Sequence, residues 1–285
     1  MKTTIVAEIG INHNGNIDTA KQLIDLAILG GCKYVKFQKR TVEDVYTKEE
    51  LDNYRESPFG TTNREQKNGL EFGKKEYDEI DRYCKEKNIG WFASPWDKKS
   101  VDFLLSYKPE YIKIASAMIT NIDMLVYINN AIETVCPSTK VIIATGMSTE
   151  DEISECLGIF ESKVEYILSC TSSYPTPTEE TNINKIHTLR NMFSDVDYVE
   201  NYKFGFSNHC SGIIGIIMAV TFGVEMIEYH ITLDRTMYGS DQASSIESGG
   251  VLRIKKYINA IEQSFGNGKL ECSPSEIPIR EKLRR

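Results

Sequence analysis

Positive charge is in short supply. Lysine and arginine number 33 against 41 aspartates and glutamates, a formal net charge of -8. With no basic excess or stripe to neutralise phosphates, nucleic acid is excluded as a partner. Any small-anion site must then rest on a few local lysines and backbone donors. Long apolar runs are missing as well. None approaches the roughly 20 residues of a membrane helix, so the chain is not expected to engage a membrane. No signal peptide is visible, because Met1-Lys2-Thr3-Thr4 runs straight into a strand-like segment. Paired cysteine motifs are absent. Seven scattered cysteines, an odd count with no CxxC, read as reduced thiols of a cytoplasmic protein. No GxGxxG follows the first strand-like run, which argues against an open dinucleotide-binding sheet.

What is present is a regular alternation. The 285 residues, 41% of them apolar, suit one α/β barrel, typically about 250 residues. Strands are expected at Thr4–Gly10, Lys33–Gln38, Gly90–Ser94, Tyr111–Ser116, Val141–Gly146, Glu165–Thr171, Lys203–His209 and Met226–Thr232. Helical periodicity lies between them, for example over Asp18–Leu29, Lys75–Lys87 and Glu150–Phe160, with a last helix over Gly249–Phe265. Thr149 and Glu152 have capping-box spacing. Apolar runs such as Val141-Ile142-Ile143-Ala144 suit strands buried on both faces. Eight β-then-α units predict an α/β fold, a (β/α)8 TIM barrel, as a single domain over 1–285. One connection is anomalous. The polar stretch 39–73 after strand two predicts a long loop over the mouth of the barrel.

Polar residues gather where the apolar strands end: Glu8, Lys36, Gln38, Ser94, Lys113, Ser116, Thr145, Ser172, Tyr174, Ser207, His209, His230 and, just beyond, Asp241. A barrel collects those ends into one mouth, where barrel active sites lie. Lys36 and Lys113 stand inside apolar strands, and a buried ammonium needs an anion. That anion is either a carboxylate such as Glu8 or an anionic substrate, with Ser94 and Ser116 helping to hold a phosphate or carboxylate. A lone histidine is more often a satisfied core residue than a ligand. Two at neighbouring strand ends, His209 and His230, suit an open, hard site for Mn²⁺ or Mg²⁺.

Five motifs carry a resemblance. They are Ala7-Glu8-Ile9-Gly10-Ile11-Asn12-His13-Asn14-Gly15, Val35-Lys36-Phe37-Gln38, Thr145-Gly146-Met147-Ser148, Cys170-Thr171-Ser172-Ser173-Tyr174-Pro175 and His230-Ile231-Thr232-Leu233-Asp234-Arg235. In this order they resemble the sialic acid synthase (N-acetylneuraminate synthase) family, over about residues 4–250. The resemblance implies a barrel that condenses phosphoenolpyruvate with the open-chain form of an amino-sugar aldose. It also implies a divalent metal, Mn²⁺ first, with Mg²⁺ or Co²⁺ as alternatives, and a homodimer. His209 and His230 would be the metal ligands. Lys36, Ser94, Lys113, Ser116 and Ser207 would hold phosphoenolpyruvate, while Glu8, Gln38, Tyr174 and Asp241 would contact the sugar or position water.

The sequence departs from the family pattern in four places. Ala117-Met118 follows Ser116 where bacterial members carry Gly-Glu, Ala144 replaces a phosphate-binding serine, and Asn208 replaces a common aspartate. Family members usually continue into a small antifreeze-like domain that lends an arginine to the sugar site, and this sequence stops at Arg285. Arg64 and Lys67 on the long loop are the expected substitutes. Two other enzymes remain open: a related 3-deoxy-ulosonate synthase acting on another aldose, and a Schiff-base aldolase using Lys113. A catalytically silent sugar-binding homologue is the third alternative.

Overall fold

Branched and aromatic residues in short runs, closed off by polar strand ends, give eight parallel strands in the computed structural model, which describes residues 2–194 and 202–284. They are β1 (Thr4–Gly10), β2 (Tyr34–Lys39), β3 (Gly90–Pro95), β4 (Tyr111–Ile114), β5 (Lys140–Ala144), β6 (Val164–Cys170), β7 (Lys203–Asn208) and β8 (Met226–His230). Neighbours in sequence are neighbours in space, and β8 pairs with β1 to close the barrel. The expected (β/α)8 fold is therefore present. A helix follows each strand. The capping box at Thr149 and Glu152 forms as its spacing predicts. The predicted strand ends need trimming at the mouth. β4 stops at Ile114 because Ser116–Met118 turns as a 3₁₀ helix, and β5 and β8 stop at Ala144 and His230.

Two layers fill the barrel. Val6, Tyr34, Phe92, Tyr111, Ile142, Leu168 and Met226 belong to one buried apolar cluster. Successive strand side chains alternate faces, so the residue two positions on points the same way. Those residues are Glu8, Lys36, Ser94, Lys113, Ala144, Cys170 and Glu228, and all seven line one cavity. The lower layer is an aromatic plug, and the upper layer is the floor of a polar chamber. Register places the groups side by side: Glu8 is level with Lys36 on β2 and with His230 on β8.

The 39–73 connection is not an irregular loop. It folds into helices Val42–Val45 and Lys48–Asp52, a hairpin of Tyr54–Ser57 with Gly60–Thr62, and a helix over Asn63–Leu70. The elements are short and polar, so they carry no hydrophobic period, but local caps hold them. Thr47 with Glu50 and Thr62 with Glu65 form capping boxes. The subdomain locks onto the turn after β1. Gly15 (φ +67°) sits where a Cβ would lie 2.0 Å from the Gly69 carbonyl. Beside it His13 stacks on Phe72 with ring centroids 3.9 Å apart. Burial pushes the His13 imidazole down to about 3, so it is a neutral packing residue.

Candidate active site

At the centre of the mouth, four buried charges alternate in sign. Lys36 Nζ lies 2.8 Å from Glu8 Oε2 and 3.7 Å from Glu228 Oε1, and Lys113 Nζ lies 2.5 Å from the same Glu228 oxygen. Burial alone would strip the proton from Lys36, but Glu228 and Glu8 more than offset it and raise its affinity for the proton. Burial likewise opposes the Glu228 carboxylate, yet Lys113 and Lys36 hold it well below the usual range. The chain therefore supplies its own anion to both lysines. Sequence reasoning missed Glu228, although it carried the signal that exposed the lysines, a charge inside an apolar strand.

Hydroxyls surround this cluster. Ser207 Oγ donates to Glu228 Oε1 at 3.2 Å. Ser116 Oγ accepts from the Gly146 amide at 3.0 Å. Ser94 Oγ and Ser172 Oγ are buried without any partner. An unsatisfied buried hydroxyl costs about 1–3 kcal/mol, so these two donors are poised for a ligand acceptor. All four serines line the inner chamber, a cavity of about 160 Å³, with Gln38, Tyr174, His209 and His230. Thr145 does not join them. It lines neither chamber, and its hydroxyl donates to the Leu168 carbonyl inside the barrel sheet.

Gly146 shapes this corner. A Cβ there would lie 2.2 Å from Ser172 Oγ and 2.8 Å from Ser116 Oγ. Gly146→Ala will leave the fold intact and displace both hydroxyls. Affinity for an anion held by these hydroxyls should fall about tenfold or more, with an unchanged melting profile within roughly 1 kcal/mol. Unchanged anion affinity would mean that these serines hold no ligand.

The two imidazoles pack edge to face with ring centroids 5.5 Å apart. Burial lowers His209 to about 3, so the ring is neutral. Its Nδ1 lies 2.6 Å from the Thr171 carbonyl, which can only accept, so Nδ1 carries the hydrogen. Nε2 is then a lone pair, 3.0 Å from the Tyr174 hydroxyl that donates to it. A backbone carbonyl fixing one nitrogen while the other faces a chamber is how metal-binding histidines are oriented. His230 Nδ1 is buried without a hydrogen-bond partner, 3.6 Å from Asp241 Oδ2. Among the described residues no cluster of three or more His, Cys, Asp or Glu side chains is arranged for a metal. The donor set thus fits an open site, with two imidazoles from the chain and oxygens from substrate or water.

A second, outer chamber of about 280 Å³ shares Gln38, Trp96 and Tyr174 with the inner one and includes Asp241. Lys67 lines it as expected, but Arg64 does not. Arg64 is spent inside the subdomain, bonded to Glu43 and to Asp52. The arginines that do line the chamber are Arg40 and Arg55, which sequence reasoning passed over.

Fold and mouth together define a (β/α)8 enzyme whose site is built around buried lysines and an open pair of imidazoles. Residues 23–270 match the NeuB family, and the chain belongs to that family. It is 31% identical to the human N-acetylneuraminate-9-phosphate synthase, an alignment covering 98% of this chain and 76% of that protein. It is 33% identical to the N,N'-diacetyllegionaminic acid synthase of Campylobacter jejuni, over 96% and 81% of the two chains. The crystal structure of the N-acetylneuraminic acid synthetase from Leptospira borgpetersenii, in complex with citrate, superposes with a TM-score of 0.81 at 31% identity. It covers all of this chain and 93% of that one.

Proposed function

We propose that the chain is a transferase that condenses phosphoenolpyruvate with an N-acetylhexosamine-type aldose. The products are a nonulosonic 2-keto-3-deoxy acid and phosphate. The observation that carries this reading is the Lys36–Glu228–Lys113 cluster beside two unpartnered serine hydroxyls in a NeuB-family barrel. An ammonium has three N–H donors, so beyond their contacts to Glu8 and Glu228 Lys36 and Lys113 would bind the phosphate and carboxylate of phosphoenolpyruvate, with Ser94, Ser116, Ser172 and Ser207 completing the hydrogen bonds. C3 of phosphoenolpyruvate attacks the aldehyde carbon, water adds at C2, and phosphate leaves by C–O cleavage. Glu8 would be the acid–base group: it is a carboxylate lining the inner chamber, held by Lys36 at 2.8 Å and by Gln38 Nε2, which donates to its Oε1 at 2.9 Å. Gln38, Tyr174 and Asp241 would orient the sugar. His209 and His230 would hold a divalent ion, Mn²⁺ first and Mg²⁺ or Co²⁺ as alternatives, which supplies Lewis acidity at the carbonyl oxygen.

The relatives named as synthases support this over a silent homologue. Met118 leaves no carboxylate after β4, and Glu228 is the second buried carboxylate of the chamber in this chain. We further propose a cytoplasmic homodimer. All seven cysteines are unpaired, and no helix among the described residues is long and apolar enough to cross a membrane. The deciding experiment follows phosphate release from phosphoenolpyruvate with N-acetylmannosamine, its 6-phosphate, diacetamido-hexoses and arabinose 5-phosphate. Aldose-dependent release with an acetamido sugar is expected. Release with arabinose 5-phosphate alone would move the chain to the related ulosonate synthases. Borohydride trapping of pyruvate on Lys113 would replace the reading by a Schiff-base one.

A further inference from the structure

The outer chamber is the feature that the condensation chemistry leaves unexplained. It opens from the inner chamber through shared walls at Gln38, Trp96 and Tyr174, so one elongated molecule can occupy both. Its far wall is the folded 39–73 subdomain, and it is cationic. Arg40, Arg55 and Lys67 line it against Glu71 and Asp241. Only one of the three cations is neutralised. Arg40 contacts Glu71 at 3.5 Å and bonds the Gln38 side chain, and even so its Nε is buried without a partner. Lys67 makes no ion pair among the described residues and rests over the Tyr46 ring at 4.0 Å from its centroid. Arg55 likewise makes no ion pair among the described residues. Arg64 is the contrast, fully committed to Glu43 and Asp52 on the same subdomain.

In a chain of net charge -8, three cations gathered around one cavity set the local charge against the global one. Free cations at the end of a chamber continuous with a reaction site attract an anionic group on the substrate. We infer that the aldose carries a phosphate, or another dianionic group, at the end remote from its aldehyde, and that Arg40, Arg55 and Lys67 bind it. This rests on the proposed condensation and names the substrate class of the same site. The aldehyde end lies in the inner chamber by His209 and His230, the sugar passes Gln38 and Tyr174, and the anion reaches the subdomain. Arg55 and Lys67 act on binding alone, since neither lines the inner chamber.

The test compares phosphorylated with neutral N-acetylmannosamine, at saturating phosphoenolpyruvate, in wild type and in Arg55→Ala, Lys67→Ala and Lys67→Glu. Wild type should prefer the phosphorylated sugar in kcat/KM by at least about a hundredfold. Each alanine variant should cut that preference about tenfold or more, chiefly through KM, and Lys67→Glu should cut it further. Equal use of both sugars, or variants that lower both alike, would overturn the inference while leaving the condensation in place. If no sugar supports phosphate release, the condensation reading fails instead. Calorimetric titration with the two sugars then decides this inference alone, since preferential binding of the phosphorylated one, weakened by Lys67→Glu, needs no turnover.

Discussion

Lys113→Met is expected to lower aldose-dependent phosphate release by about a hundred- to a thousandfold, the usual cost of removing one preorganised charge from a reacting centre. It should also cost about 3 kcal/mol of stability. Lys113 is the closest partner of Glu228, at 2.5 Å, and removing one member of a buried pair strands the other. The two losses have different causes and separate cleanly. Lys113→Met/Glu228→Met replaces both charges by apolar groups of similar length and leaves the Lys36–Glu8 pair, at 2.8 Å, intact. Stability should then return to within about 1 kcal/mol of wild type, because well-packed apolar replacements of buried pairs are often neutral. Activity should not return. Urea melts and phosphate release on both variants test this. A stable double variant with near wild-type turnover would show that the cluster is structural only.

Lys36 and Lys113 were legible because an ammonium inside an apolar strand is conspicuous. Glu228 obeys the same rule, within Met226-Ile227-Glu228-Tyr229-His230, two residues before a histidine of the same strand. The period-2 relation between plug and floor was also available in sequence, since Val6/Glu8, Tyr34/Lys36 and Tyr111/Lys113 repeat one spacing. The barrel itself was readable from eight apolar runs. The 39–73 subdomain was not, because its stability comes from caps, ion pairs and the Gly15–Gly69 contact rather than from a hydrophobic period. Arg64 and Arg55 look alike as sequence. Only the fold shows that Glu43 and Asp52 consume the first and that the second faces a cavity.

Metal removal is expected to have the second large effect. Chelation should abolish aldose-dependent release, and Mn²⁺ should restore it. The more specific test reads binding rather than turnover. Mn²⁺ titrated into metal-free protein, followed by its paramagnetic resonance signal, should bind with a stoichiometry of about one ion per chain. His209→Ala should weaken that binding by more than about a hundredfold, as should His230→Ala, since a two-imidazole site has no protein donor to spare. Tyr174→Phe provides the contrast. The Tyr174 hydroxyl donates to the same Nε2 lone pair that a metal needs, so it competes with the ion in the free protein. Losing it should leave Mn²⁺ affinity unchanged or slightly raised. It should lower turnover only if the hydroxyl also orients the sugar. Undiminished Mn²⁺ binding in His209→Ala/His230→Ala would remove the imidazoles as ligands. The Thr171 carbonyl would then fix the His209 tautomer for a purely hydrogen-bonding role.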